Sequence, residues 1–148
     1  NEWIEFRKKY KNLLLNEYPN YNFDHRFKLM LDIKKVLDSE NVELLLADGV
    51  LLGAVREQDF IQWDPDVDMH VMSSQFIPAY NSIRDKLLDL GYIVRSTSEY
   101  PKMKINLFSK GEKVGILAIY KSSDYYYRSI YRWPLEIYDN LEADLYLL

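Results

Sequence analysis

Asp48 to Val71 reads DGVLLGAVREQDFIQWDPDVDMHV, and this stretch decides both the fold and the chemistry to look for. Its second half alternates Asp66, Asp68 and His70 with Val67, Met69 and Val71, the period of a strand with one apolar and one polar face. On such a strand Asp66 and Asp68 stand side by side, roughly 6.6 Å apart at the backbone. Carboxylates that close repel one another unless a cation joins them, and hard oxygen ligands of this kind suit Mg²⁺ or Mn²⁺. Upstream, Gly49 and Gly53 bracket a short apolar segment after the run 42–47. A strand, a glycine turn and a helix start expose backbone N–H groups that can seat a phosphate. Phosphate seat followed by carboxylate pair is the layout of metal-assisted nucleotidyl or phosphoryl transfer.

Working outward, 42–47 reads as a buried strand and 51–56 as a short helix. Segment 24–40 reads as a helix capped by Asp24, with Phe27, Met30, Leu31, Ile33 and Leu37 facing inward. Ser73 or Ser74 caps another helix, apolar at Ile77, Tyr80, Ile83 and Leu87 and ended by Gly91. Strands are expected at 92–97, 102–108 and 113–120, the last two joined by the hairpin loop Ser109-Lys110-Gly111-Glu112. Residues 2–17 have helical apolar spacing, so 1–22 is expected to be a peripheral N-terminal helix and linker on a single domain, 1–148. The tail 125–148 is expected to be an extended crossing and a strand. These elements make an α+β, mixed α/β two-layer domain.

Composition narrows the classes. The 148 residues suit one domain, and 48% hydrophobic with 28% charged content is that of an ordinary globular chain. No apolar run reaches the roughly 20 residues of a membrane span. The net charge of −4 gives no reason to expect a nucleic-acid partner. Without cysteine there are no disulfides or thiolate metal sites, and no Asn-x-Ser/Thr sequon is present. A chain that begins at Asn1 is expected to be processed or trimmed, so a missing leader says little.

The motif resembles the signature of the LicD/fukutin-related family of the nucleotidyltransferase superfamily, approximately G-T-L-L-G-x-x-R, a spacer, then I-P-W-D-x-D-x-D. This chain has Gly49-Val50-Leu51-Leu52-Gly53-Ala54-Val55-Arg56 and Ile61-Gln62-Trp63-Asp64-Pro65-Asp66-Val67-Asp68, with Val50 for threonine and Gln62 for proline. The resemblance implies a nucleotidyltransferase-like mixed sheet flanked by helices. It further implies transfer of a phosphoryl-alcohol group, of phosphocholine or polyol-phosphate type, from a CDP-linked donor to a glycan hydroxyl. Asp66 and Asp68 would hold Mg²⁺ or Mn²⁺ and carry catalysis, with Asp64 orienting them. Gly49, Leu52, Gly53, Arg56 and Lys104 would bind substrate or phosphate. A family member would work in the cytoplasm if bacterial and in the Golgi lumen if eukaryotic; oligomeric state is not legible.

Other readings stay open. A calcium loop fails on detail, since Met69 stands at the turn glycine and Gln75 at the closing glutamate. Lys102 and Lys104 fit a diphosphate site or a solvated strand face; Arg128 and Arg132 fit a phosphosugar. Trp63 fits a packing anchor, and His70 a packed histidine. Most important, relatives carry a third carboxylate in a stretch like V-(D/E)-I-x-x-x-Y, and here Val114 to Tyr120 places Gly115 at the acidic position. Either the chain is a binding-only member, or a variant lost the residue, or Glu99, Glu112 or Asp124 serves instead.

Overall fold

The computed structural model describes residues 22–128. Helix α1 (Phe23–Ser39) leads into the short strand β1 (Leu44–Leu46), helix α2 (Asp48–Arg56) and strand β2 (Val67–Met72). Helix α3 (Ser73–Asp89) follows, then β3 (Ile93–Thr97), β4 (Lys104–Ser109), β5 (Glu112–Lys121) and the two-residue β6 (Tyr126–Tyr127). The sheet runs β1-β2-β5-β4-β3, with β6 added to the far end of β5. Only β2 and β5 run parallel, so the sheet is mixed, as the sequence suggests. No helix among the described residues is long and apolar enough to cross a membrane.

Strand alternation builds two unlike faces. Val67, Met69 and Val71 of β2 and Val114 and Ile116 of β5 are fully buried with Leu29, Ile33, Phe76 and Ile83 of α1 and α3. Their alternates, Asp68, His70 and Gly115, point away from that core. The β4–β5 hairpin turns on Lys110 and Gly111, at φ 49° and 83°, the two left-handed residues that a tight two-residue turn requires.

Several boundaries differ from the sequence reading. Asn22, not Asp24, caps α1, its Oδ1 accepting from the His25 N–H at 3.0 Å. The buried stripe of α1 is rotated: Phe27 and Leu31 are exposed, and Arg26 is fully buried in their place. Arg26 turns inward because Glu112 awaits it at 2.6 Å. In α3 Phe76 is buried where Ile77 was expected, and neither Ser73 nor Ser74 caps the helix, since β2 enters it directly through Met72. Helix α2 begins at Asp48, so Gly49 lies inside its first turn; Asp48, at φ 48°, makes the bend. Segment 1–21 and tail residues beyond Arg128, Arg132 included, lie outside the described residues.

Candidate functional site

Strand β2 enters the sheet at Val67 with Asp66 just before it, and the parallel register sets Asp68 directly opposite Gly115. Antiparallel pairing on the other side sets Asn106 opposite Gly115 and Lys104 opposite Leu117. Asp68, Gly115, Asn106 and Lys104 therefore meet on the open sheet face. Lys104 Nζ donates to Asp68 Oδ1 at 3.1 Å, and Lys113 Nζ pairs with Asp66. Each carboxylate of the pair thus has its own lysine, neither fully buried. Lys104 was expected here; Lys113 and Asn106 were not, although both alternate in step with Lys104 and Gly115 along a readable hairpin.

The motif glycines have steric explanations. A methyl group added to Gly49 would stand 1.9 Å from Asp64 Oδ2, so the glycine makes room for the Asp64 carboxylate beside the start of α2. Burial pushes the Asp64 carboxyl up, a backbone hydrogen bond from Asp66 pulls it down, and the charges of Asp66 and Asp68 raise it further. Asp64 therefore sits within electrostatic reach of both. A methyl group on Gly53 would stand 2.5 Å from the Asp59 carbonyl oxygen and 3.2 Å from the Ile61 nitrogen, so α2 presses there on the loop feeding the acidic strand.

Two expected members are not brought to the pair. Arg56 ends α2 and donates to its neighbour Glu57 through Nε at 3.1 Å, while Leu52 lies on the exposed face of α2 with Leu51 and Val55. An arginine about two turns, roughly 12 Å, along a helix from its first residue is carried away from a group seated at that helix's start. Two of the fallback carboxylates do no better. Glu112 is committed to Arg26, and Asp124 accepts from Ser123 Oγ at 3.2 Å in the exposed β5–β6 turn. Among the described residues no three His, Cys, Asp or Glu side chains converge as metal ligands.

Sequence reading missed two supports. Buried Arg26 joins Glu112 to the Asp64 carbonyl, which its Nη1 reaches at 2.9 Å, tying α1, β5 and the acidic loop together. The signal was present, since Arg26 falls on the stripe of Leu29, Ile33 and Leu37. On the far side Arg128 donates to Asp48 Oδ1 at 2.8 Å through Nη2 and to His70 Nε2 at 2.6 Å through Nη1. His70 accepts there, so its proton is on Nδ1. Burial, then the Arg128 charge, lowers its pKa and keeps the ring neutral. His70 is thus a packed histidine that holds Arg128.

A metal of the Mg²⁺ kind needs several oxygens. Asp66 and Asp68 supply two carboxylates, and Asn106 Oδ1 adds a buried acceptor with no donor among the described residues. A methyl group on Gly115 would meet Asp68 Oδ1 at 2.4 Å, Asn106 Oδ1 at 2.9 Å and Lys104 Cε at 3.0 Å. Oxygens of Asp68 and Asn106 thus meet in front of Gly115, with Asp66 two residues before Asp68 at the head of the strand, and oxygens of this kind fit a divalent ion.

The chain is similar to known proteins in sequence and in fold. The sequence model of the LicD/FKTN/FKRP nucleotidyltransferase domain matches residues 41–143. Uncharacterized proteins of Rickettsia typhi and Rickettsia prowazekii are 32% and 34% identical over 74 residues, half of this chain. The match spans only 24% and 27% of their lengths. In structure the chain is similar to the antibiotic-resistance factor ANT(2'')-Ia, with a TM-score of 0.53 at 15% identity over 71% of this chain and 52% of that one.

Proposed function

The chain belongs to the LicD/FKTN/FKRP nucleotidyltransferase-domain family, and from that premise we propose that it transfers a phosphoryl-alcohol group from a CDP-linked donor to a glycan hydroxyl. The group is of phosphocholine or polyol-phosphate type, and the reaction is metal-dependent. One observation carries the reading: Asp66 and Asp68 stand at the head of β2 on the open face, each beside a lysine from a neighbouring strand. Asp66 and Asp68 would hold Mg²⁺ or Mn²⁺, which supplies charge neutralisation at the donor diphosphate. Lys104 and Lys113 add two cations beside the same place, positioned to exchange their carboxylate partners for phosphate oxygens. Asp64, seated on Gly49 and held through its carbonyl by Arg26, fixes the approach of the loop to the pair.

Gly115 favours a second reading, a domain that binds a nucleotide or sugar phosphate without turnover. Calorimetric titration of CDP-choline with and without Mg²⁺, alongside an assay of donor consumption, tests both. Metal-dependent binding with consumption supports transfer, and binding without consumption supports the second reading. No binding in either condition sinks both.

A further inference from the structure

Gly115 offers no side chain to the open sheet face, yet a second oxygen joins that of Asp68 in front of it. Asn106 stands opposite Gly115, with Oδ1 2.9 Å from where a Gly115 Cβ would be, and Asp68 Oδ1 lies 2.4 Å from the same point. Asn106 Oδ1 is shut from water and meets no donor among the described residues. An acceptor so placed is costly unless something positive comes to it. Lys104 serves only the neighbouring oxygen: its Nζ donates to Asp68 Oδ1. Asparagine is also a poor strand former, so packing alone gives no reason for it at the middle of β4.

We infer that Asn106 supplies, through Oδ1, the third oxygen of the divalent-cation site formed with Asp66 and Asp68. The inference rests on the metal-dependent reading above. An amide oxygen is a hard, neutral donor of the kind Mg²⁺ and Mn²⁺ accept. The set then carries two negative charges and one neutral oxygen, so the cation is held more weakly by the protein alone than by three carboxylates. The donor diphosphate supplies the missing negative charge, and cation and donor bind together. A neutral amide also takes no proton from an acceptor hydroxyl, which separates holding the metal from deprotonation in this chain.

The test exploits a chain without cysteine. Asn106→Cys places a soft thiolate at the position, and a thiolate prefers Cd²⁺ to Mg²⁺. Added Cd²⁺ is expected to produce an ultraviolet thiolate-to-cadmium charge-transfer band that is absent in the parent. Adding Asp66→Asn and Asp68→Asn should abolish it. A folded variant without the band, or a band that survives loss of both aspartates, overturns the inference. Asn106→Ala is the second variant, read by Mn²⁺ electron paramagnetic resonance. Its Mn²⁺ dissociation constant should rise roughly tenfold, while its metal-free melting temperature does not fall. A fall without metal would mean that the amide is turned end for end and donates to Asp68, which also overturns the inference. Parent protein that binds Mn²⁺ regardless of residue 106 sinks this inference alone; parent protein that binds no Mn²⁺ even with CDP-choline sinks the reading beneath it.

Discussion

Replacing Gly53 by alanine sets two effects of opposite sign against each other. Gly53 is in the interior of α2, where alanine is favoured over glycine by about 1 kcal/mol on helix propensity alone. Against that, the new methyl group would stand 2.5 Å from the Asp59 carbonyl oxygen, well inside the roughly 3.5 Å of ordinary contact. The obstacle is backbone, so it cannot rotate aside; either α2 or the 59–61 loop must move. Overpacking of this kind costs about 1–3 kcal/mol. Because the obstacle is rigid backbone, the cost falls in the upper part of that range, about 2–3 kcal/mol. The net expectation is a loss of about 1–2 kcal/mol, which lowers the melting temperature by roughly 2–8 °C for a domain of this size. Urea and thermal unfolding of parent and variant, without metal, give the comparison. A Gly53→Ala protein as stable as the parent, or more so, would refute the close approach of α2 to the loop. A protein of raised stability that no longer binds CDP-choline would return Gly53 to the phosphate role its motif suggested.

Further outcomes follow from the same contacts. Gly115→Asp should lose stability without metal, because its Cβ crowds Asp68 Oδ1 at 2.4 Å and its charge meets two aspartates; added Mn²⁺ should raise its melting temperature more than the parent's. Equal loss in both conditions would show that residue 115 does not face the pair. Asp68→Asn should shrink any Mn²⁺-induced rise in melting temperature, since ligand stabilisation follows the ratio of free ligand to dissociation constant; an unchanged rise places the ion elsewhere. Arg26→Met leaves the Glu112 charge buried without its partner, for a loss of about 3–5 kcal/mol in urea unfolding, and a loss below about 1 kcal/mol would deny that pair its place in the core. At Asp32 burial opposes the charged form, but hydrogen bonds from Lys28 and Tyr92 outweigh it and hold the carboxyl below its usual range. A depressed carboxylate contributes stability above its unfolded pKa, about 3.9, and loses it as the pH falls through the folded value. The stability gap between parent and Asp32→Asn should therefore be constant from about pH 5 to 7 and close below about pH 4; a gap that widens on acidification reverses the sign.

What the sequence determined by itself was periodic or local. Alternation along 66–71 assigns Asp68 and His70 to one face and Val67, Met69 and Val71 to the other, because side chains of a strand alternate whatever lies beside them. The Lys110-Gly111 turn sets the β4–β5 register, so the facing of Asn106 and Gly115 was implicit in a two-residue loop. The family motif brought the mixed sheet and the acidic pair with it. Tertiary structure decided whatever joins segments distant in the chain. The parallel pairing that puts Asp68 beside Gly115 spans forty-odd residues and a crossover helix, and no local rule registers two such strands. Helical spacing puts Arg26 on the stripe of Leu29, Ile33 and Leu37, but it does not say why a guanidinium can be buried there. That depends on Glu112, 86 positions away, since a buried guanidinium is tolerable only where a carboxylate and a carbonyl wait for it. Arg56 shows the converse: motif position suggested a site residue, but the rigid rise of α2 carries it to the opposite end, where it pairs with Glu57.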